Sequence, residues 1–221
     1  MDVEPIDVPG DPGVRGVLHV AAGADGLVLT HGAGGNRDAP LLVAVARAFA
    51  ARGVTVLRCD LPYRQVRARG GPSPAGAARD RAGLRAALQV LRVRARGRLF
   101  LGGHSYGGRQ ASMLLAEDAA LASALLLQSY PLHPPGKPDN LRTAHLPGLR
   151  VPALFVHGTA DPFGTLDELE RARALITPRT SVLPVSGGHD LGWSARRADA
   201  ALPERIAEAF LDLARSGPGG A

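Results

Sequence analysis

Three side chains of the kinds that cooperate in nucleophilic catalysis follow one another along this chain. Ser105 sits in Gly103-His104-Ser105-Tyr106-Gly107, Asp161 in His157-Gly158-Thr159-Ala160-Asp161-Pro162, and His189 in Ser186-Gly187-Gly188-His189-Asp190. A serine hydroxyl is a weak nucleophile until a base takes its proton, and imidazole serves as that base only in the tautomer that a carboxylate at Nδ1–H enforces. Acyl transfer also needs donors waiting for the oxyanion. The backbone N–H of Tyr106 is one candidate; that of Ala33 or Gly34, in His31-Gly32-Ala33-Gly34-Gly35, is the other. The same loop could be read as a phosphate cradle, but it has neither the G-x-G-x-x-G spacing nor a Walker lysine.

Each choice has rivals. His104 adjoins Ser105, so its side chain is expected to point away from the nucleophile's partner and pack beside a strand. His31 is expected to orient the glycine loop and His157 to be structural, while His133 could line a substrate mouth; His19 and His145 carry no motif. Asp190 is too near His189 in sequence to approach its ring well, and Asp167 and Glu168 fall in the following helix. Asp161 before Pro162 also suits a turn, which is compatible with a chemical role.

For Ser105 to be presented, a strand must run into a sharp turn and then a helix. Arg98–Gly102 reads as that strand and Arg109–Ala116 as that helix, with glycines two before and two after the serine. Similar alternation fills the rest. Apolar runs at Leu27–Thr30, Val54–Cys59, Ala124–Leu127, Ala153–Val156 and Ser181–Val185 are strands; Pro40–Ala51, about Ala75–Ala95, Leu166–Ile176 and Pro203–Arg215 are helices. Val3–Val8 and Val14–Val20, divided by Gly10-Asp11-Pro12-Gly13, suggest a hairpin of edge strands. These imply an α/β fold with a mostly parallel sheet covered on both faces, its ligands bound beyond the carboxyl ends of the strands. Residues 60–74 and 129–150 resist regular structure and are expected to frame the mouth of the site without forming a large lid.

Composition narrows the class. The 221 residues, 45% hydrophobic and 4% aromatic, suit one domain over 1–215 with a disordered tail at 216–221. The start of the chain has no basic or long apolar run, and Cys59 is the only cysteine, so a cytoplasmic protein without a membrane segment is expected, with Cys59 a buried thiol. A net charge of +6 raises nucleic acid as a partner. Most of the arginines in Arg64–Arg98 fall on a loop or on the edge of an amphipathic helix whose Leu84, Leu88, Leu91 and Ala95 share one arc. Interleaved aromatics are lacking, so a charged surface face is expected and nucleic-acid binding is not. No oligomeric state is assigned.

Gly102-Gly103-His104-Ser105-Tyr106-Gly107-Gly108-Arg109, Asp60-Leu61-Pro62-Tyr63, Tyr130-Pro131-Leu132-His133-Pro134-Pro135-Gly136-Lys137-Pro138 and Gly158-Thr159-Ala160-Asp161-Pro162-Phe163-Gly164 resemble the α/β-hydrolase fold superfamily, across roughly residues 14–213. More narrowly they look like its small lidless family related to dienelactone hydrolases, whose relatives include a subunit of a eukaryotic histone-acetyltransferase complex. The resemblance implies a serine hydrolase of small esters or thioesters working without a cofactor or metal. Dienelactone hydrolases proper carry a cysteine nucleophile, so their substrate does not transfer to Ser105; dehalogenase and epoxide-hydrolase chemistry needs a carboxylate there. The alternative is a catalytically silent interaction module, against which the complete Ser105, Asp161 and His189 set argues. Tyr63 and Arg109 are candidates for the mouth or for support of the turn. Arg109, a cation in a helix's first turn, opposes the dipole, so a brace with a carboxylate such as Asp60 is expected, with recognition of an anionic substrate as the alternative.

Overall fold

The computed structural model describes residues 2–194 and 199–215; the expected tail at 216–221 lies outside them. Eight strands form one sheet: β1 Val3–Val8, β2 Val14–His19, β3 Gly26–Thr30, β4 Thr55–Cys59, β5 Leu99–His104, β6 Leu125–Gln128, β7 Ala153–Gly158 and β8 Thr180–Val185. Six α-helices accompany them: α1 Pro40–Ala51, α2 Pro62–Val66, α3 Ala77–Arg92, α4 Tyr106–Glu117, α5 Leu166–Arg173 and α6 Leu202–Arg215. The spatial order is β1-β2-β4-β3-β5-β6-β7-β8. All neighbours from β4 onward run parallel, and the two pairings of β2 are antiparallel. This is the α/β-hydrolase architecture, with no large lid. Among the described residues no helix is long and apolar enough to cross a membrane.

The alternation of side chains along each buried strand sorts the core into two layers. Leu27, Leu29, Val56, Phe100, Leu126, Leu154 and Val156 face α1 and α6, whereas Val28, Leu57, Leu101, Leu125, Leu127 and Phe155 face α3 and α4. The α6 stripe Leu202, Ile206, Phe210 and Leu213 keeps helical spacing and is buried throughout. Phe210 meets Phe49 of α1 and Phe100 of β5 edge-on, with centroids 5.5 and 5.3 Å apart. Phe210→Ala is therefore expected to cost about 3–5 kcal/mol, read as a lower midpoint in denaturant unfolding.

Four expectations are corrected. β2 is not an edge strand, because β4 pairs with it on the side away from β1. Residues 60–74 contain α2, started by Pro62 at its first position. α3 begins at Ala77, behind a 3₁₀ turn capped by Ser73, and α5 stops at Arg173, where tighter i→i+3 bonds from Leu175 and Ile176 replace helical ones. On the arginine-rich face of α3, Arg81 pairs with Glu117 at 3.0 Å and Arg85 with Asp118 at 2.6 Å, and just beyond it Arg94 pairs with Glu4 at 3.1 Å, while Arg92 and Arg96 stay exposed.

Candidate active site

Ser105 follows β5 directly and leads α4, with φ +49° and ψ −115°. A positive φ costs a non-glycine residue of order 1–3 kcal/mol and persists only where the surroundings impose it. Here the Ser105 N–H donates to the Gln128 carbonyl at 2.8 Å, and the Ser105 carbonyl accepts from the Arg109 N–H at 2.9 Å. The flanking glycines are needed for space. A Cβ on Gly103 would sit 2.7 Å from the Gly108 nitrogen, and one on Gly107 would collide with the His31 carbonyl oxygen.

The structure brings Ser105, His189 and Asp161 into one hydrogen-bonded line. His189 Nδ1 lies 2.8 and 3.0 Å from the two Asp161 carboxylate oxygens, and His189 Nε2 lies 2.8 Å from Ser105 Oγ. A carboxylate only accepts, so Nδ1 carries the proton, Nε2 is left as acceptor and the Ser105 hydroxyl donates. The Asp161 side chain is fully buried and takes a further bond from the Phe163 N–H at 2.9 Å. The Phe163 ring lies 4.1 Å from the His189 ring, tilted by 31°. The loops bearing acid and base touch at Gly158, where any Cβ would strike the Gly188 carbonyl.

His104 departs from expectation. Its side chain turns toward the His189 loop, where Nε2–H donates to the His189 carbonyl at 3.0 Å, and burial above all lowers its pKa to about 4. A neutral imidazole thus holds the backbone of the residue that carries the base.

The glycine loop is fastened from below. His31 is buried and kept neutral by desolvation; its Nδ1–H donates to the Gly32 carbonyl at 2.8 Å, and Nε2 accepts from the Leu61 N–H at 3.2 Å. The Tyr63 hydroxyl reaches the Gly32 and Ala33 carbonyls at 3.2 and 2.8 Å, and Arg64 donates to Ala33 and Gly35 carbonyls at 3.1 and 2.8 Å. The N–H groups of Ala33 and Gly34 have no acceptor among the described residues. Tyr106 opens α4, where a first-turn N–H has no partner within the helix.

Sequence reasoning missed Asp80. Its carboxylate is fully buried in α3 and accepts from the Tyr106 hydroxyl at 2.7 Å and the Tyr63 N–H at 3.1 Å. It thereby ties the residue after Ser105 to the residue that grips the glycine loop. A lone acid in an arginine-rich helical stretch carries no motif that would mark it. Asp80→Ala leaves the buried Tyr63 N–H and Tyr106 hydroxyl without their acceptor, so a loss of about 1–3 kcal/mol in stability is expected, measurable by thermal melting.

Ser105 and His189 open onto a cavity of about 560 Å³. Its walls are the glycine loop, the start of α1 at Ala39–Leu42, Phe163, and Trp193 beyond His189, a largely apolar set. Neither 60–74 nor 129–150 lines it, which corrects the expected mouth: those loops pack beneath or beside the site. His133 is buried with Nε2 3.4 Å from Glu168, and Tyr63 supports the loop from outside the cavity. The expected brace between Arg109 and Asp60 is absent, because Asp60 accepts from the Arg37 backbone and guanidinium at 2.8 and 2.9 Å. Among the described residues no group of three or more metal-ligating side chains gathers.

Comparison with known proteins adds the family. A family model described as an alpha/beta hydrolase domain matches residues 23–215. Among solved structures, a dienelactone hydrolase from Anabaena variabilis superposes with a TM-score of 0.74 at 24% identity, over 96% of this chain and 98% of that one. Est1E from Butyrivibrio proteoclasticus gives 0.74 at 14% identity, over 95% and 98%. An esterase of Pyrococcus furiosus gives 0.73 at 14% identity, over 96% and 90%. At these identities the likeness is one of fold.

Proposed function

The chain belongs to the α/β-hydrolase family, and from that membership we propose that it is a serine esterase, cleaving small carboxylic esters or thioesters through an acyl-enzyme on Ser105. The observation that carries this reading is the unbroken line from the Ser105 hydroxyl through His189 to Asp161. The Pyrococcus protein, named an esterase, is consistent with it.

In this reading Ser105 Oγ attacks the carbonyl carbon while His189 Nε2 takes the hydroxyl proton. Asp161 stabilises the imidazolium. The oxyanion receives the N–H of Tyr106 and that of Ala33 or Gly34. Collapse expels the alcohol or thiol, which leaves with the proton from Nε2. A water molecule, deprotonated by the same nitrogen, then cleaves the acyl-serine and releases the acid. The apolar cavity walls favour an uncharged acyl group. No step draws on a cofactor.

The test is turnover of p-nitrophenyl esters of rising acyl length, with fluorophosphonate labelling of the same preparation. Turnover with labelling mapped to Ser105 is expected, and the acyl length at which kcat/KM falls measures the cavity. A folded protein that neither turns over esters nor labels is an interaction module instead.

A further inference from the structure

We propose that Arg109 and Arg142 form a binding site for a phosphate-type oxyanion, one helical turn from Ser105 yet outside the cavity that holds it. This rests on features the esterase reading leaves unused. Most described arginines donate to a carboxylate or carbonyl; of those that do not, Arg47, Arg69, Arg96, Arg171 and Arg179 are exposed to water, whereas Arg109 and Arg142 are partly buried. Arg109 Nε is shielded from solvent and has no hydrogen-bond partner among the described residues, and the guanidinium has only the Tyr130 hydroxyl beside it as an acceptor. Holding a guanidinium partly out of water without a carboxylate is costly, and two in one place compound that cost by repulsion.

They do share one place. The buried Tyr130 hydroxyl donates to the Arg142 carbonyl at 2.7 Å and feels the charges of both guanidiniums. His145 completes the wall: its Nε2 lies 3.5 Å from that hydroxyl and 2.7 Å from Ser112 Oγ. The Ser112 hydroxyl already donates to the Arg109 carbonyl at 2.8 Å, so His145 Nε2–H is the donor to Ser112. Desolvation, then Arg109 and Arg81, hold His145 neutral, with a pKa of about 4. The acids nearest in sequence along α4 are occupied, Glu117 by Arg81 and Asp118 by Arg85. With the Tyr130, Ser112 and His145 hydrogens already placed on neighbouring oxygens, the two guanidiniums are the groups left with no anion among the described residues. Planar guanidinium forks match the paired oxygens of phosphate, and the α4 N-terminus adds potential of the same sign. None of these side chains lines the Ser105 cavity.

The experiment is calorimetric titration of the full chain with inorganic phosphate at ionic strength held constant with chloride. Saturable binding is expected, weakened about 10-fold or more in Arg142→Gln, whose side chain makes no hydrogen bond or ion pair among the described residues. Arg109→Gln should weaken it likewise. Arg150→Gln, an exposed arginine in the same connection, should leave it unchanged. Absence of saturable binding, or an equal loss in Arg150→Gln, overturns the proposal; neither result bears on ester turnover, so the two readings fail separately. The effect of phosphate on hydrolysis of a neutral ester then identifies the source. Inhibition that is competitive with the neutral ester and persists in Arg142→Gln places the anion in the Ser105 cavity and overturns the site. Non-competitive inhibition lost in Arg142→Gln makes phosphate a free effector, and a kcat/KM advantage for an ester bearing a remote phosphate that Arg142→Gln removes places it on a substrate.

Discussion

Ser105→Ala is expected to lower kcat for p-nitrophenyl esters by about 10⁴- to 10⁶-fold while the protein stays folded. The size follows from how such groups act as a unit: without the nucleophile, base and acid have nothing to activate, and only binding and oxyanion donors remain. Folding should survive because the lost hydroxyl bonds only His189, whose Nε2 faces the cavity. The backbone at φ +49° is held by bonds to Gln128 and Arg109 that alanine keeps. A stability change within about 1 kcal/mol is therefore expected. Measured kcat for the two proteins, beside their melting curves, decides it. Turnover retained within 10-fold would remove Ser105 from the reaction.

Legibility of the site in sequence followed how local each constraint is. The turn at Ser105 was readable because strand, glycine, serine, glycine and helix lie within twenty residues, and the glycines answer to contacts with Gly108 and His31. Asp161 and His189 were readable as residues just past the ends of parallel strands, where such a sheet presents its ligands. The support beneath them was not. Asp80 reaches Tyr63 and Tyr106 only because α3 packs beside α2 and α4, and no spacing encodes that meeting. The cavity wall failed for the same reason. Proline and glycine in 60–74 and 129–150 marked irregular chain correctly, but which loops lean over Ser105 depends on three-dimensional packing; Leu41, Leu42 and Trp193 took that place. The pairing of Arg109 with Asp60 was inferred from charge alone, and Arg37, nearer through the glycine loop, claims the acid.

Asp161→Asn carries the second large effect, about 10⁴-fold in kcat, for a reason visible in hydrogen direction rather than in distance. One Asp161 oxygen already accepts from the Phe163 N–H at 2.9 Å, so an asparagine there keeps its carbonyl oxygen toward Phe163 and turns its amide N–H₂ toward His189. His189 Nδ1 must then accept, which moves the ring proton to Nε2. In that tautomer Nε2 has no lone pair for the Ser105 proton, although every heavy atom stays in place. The precedent for such a change in other serine hydrolases is a loss of about 10⁴. The side chain is buried and isosteric, so melting should shift little beside the loss of rate. Asp167→Asn, an exposed acid at the start of α5, serves as the comparison and is expected to stay within about twofold of the parent. If both variants lose rate equally, the acid partner of His189 is not selected by its contact; if Asp161→Asn alone loses it, the proton on Nδ1 is what the buried carboxylate is there to hold.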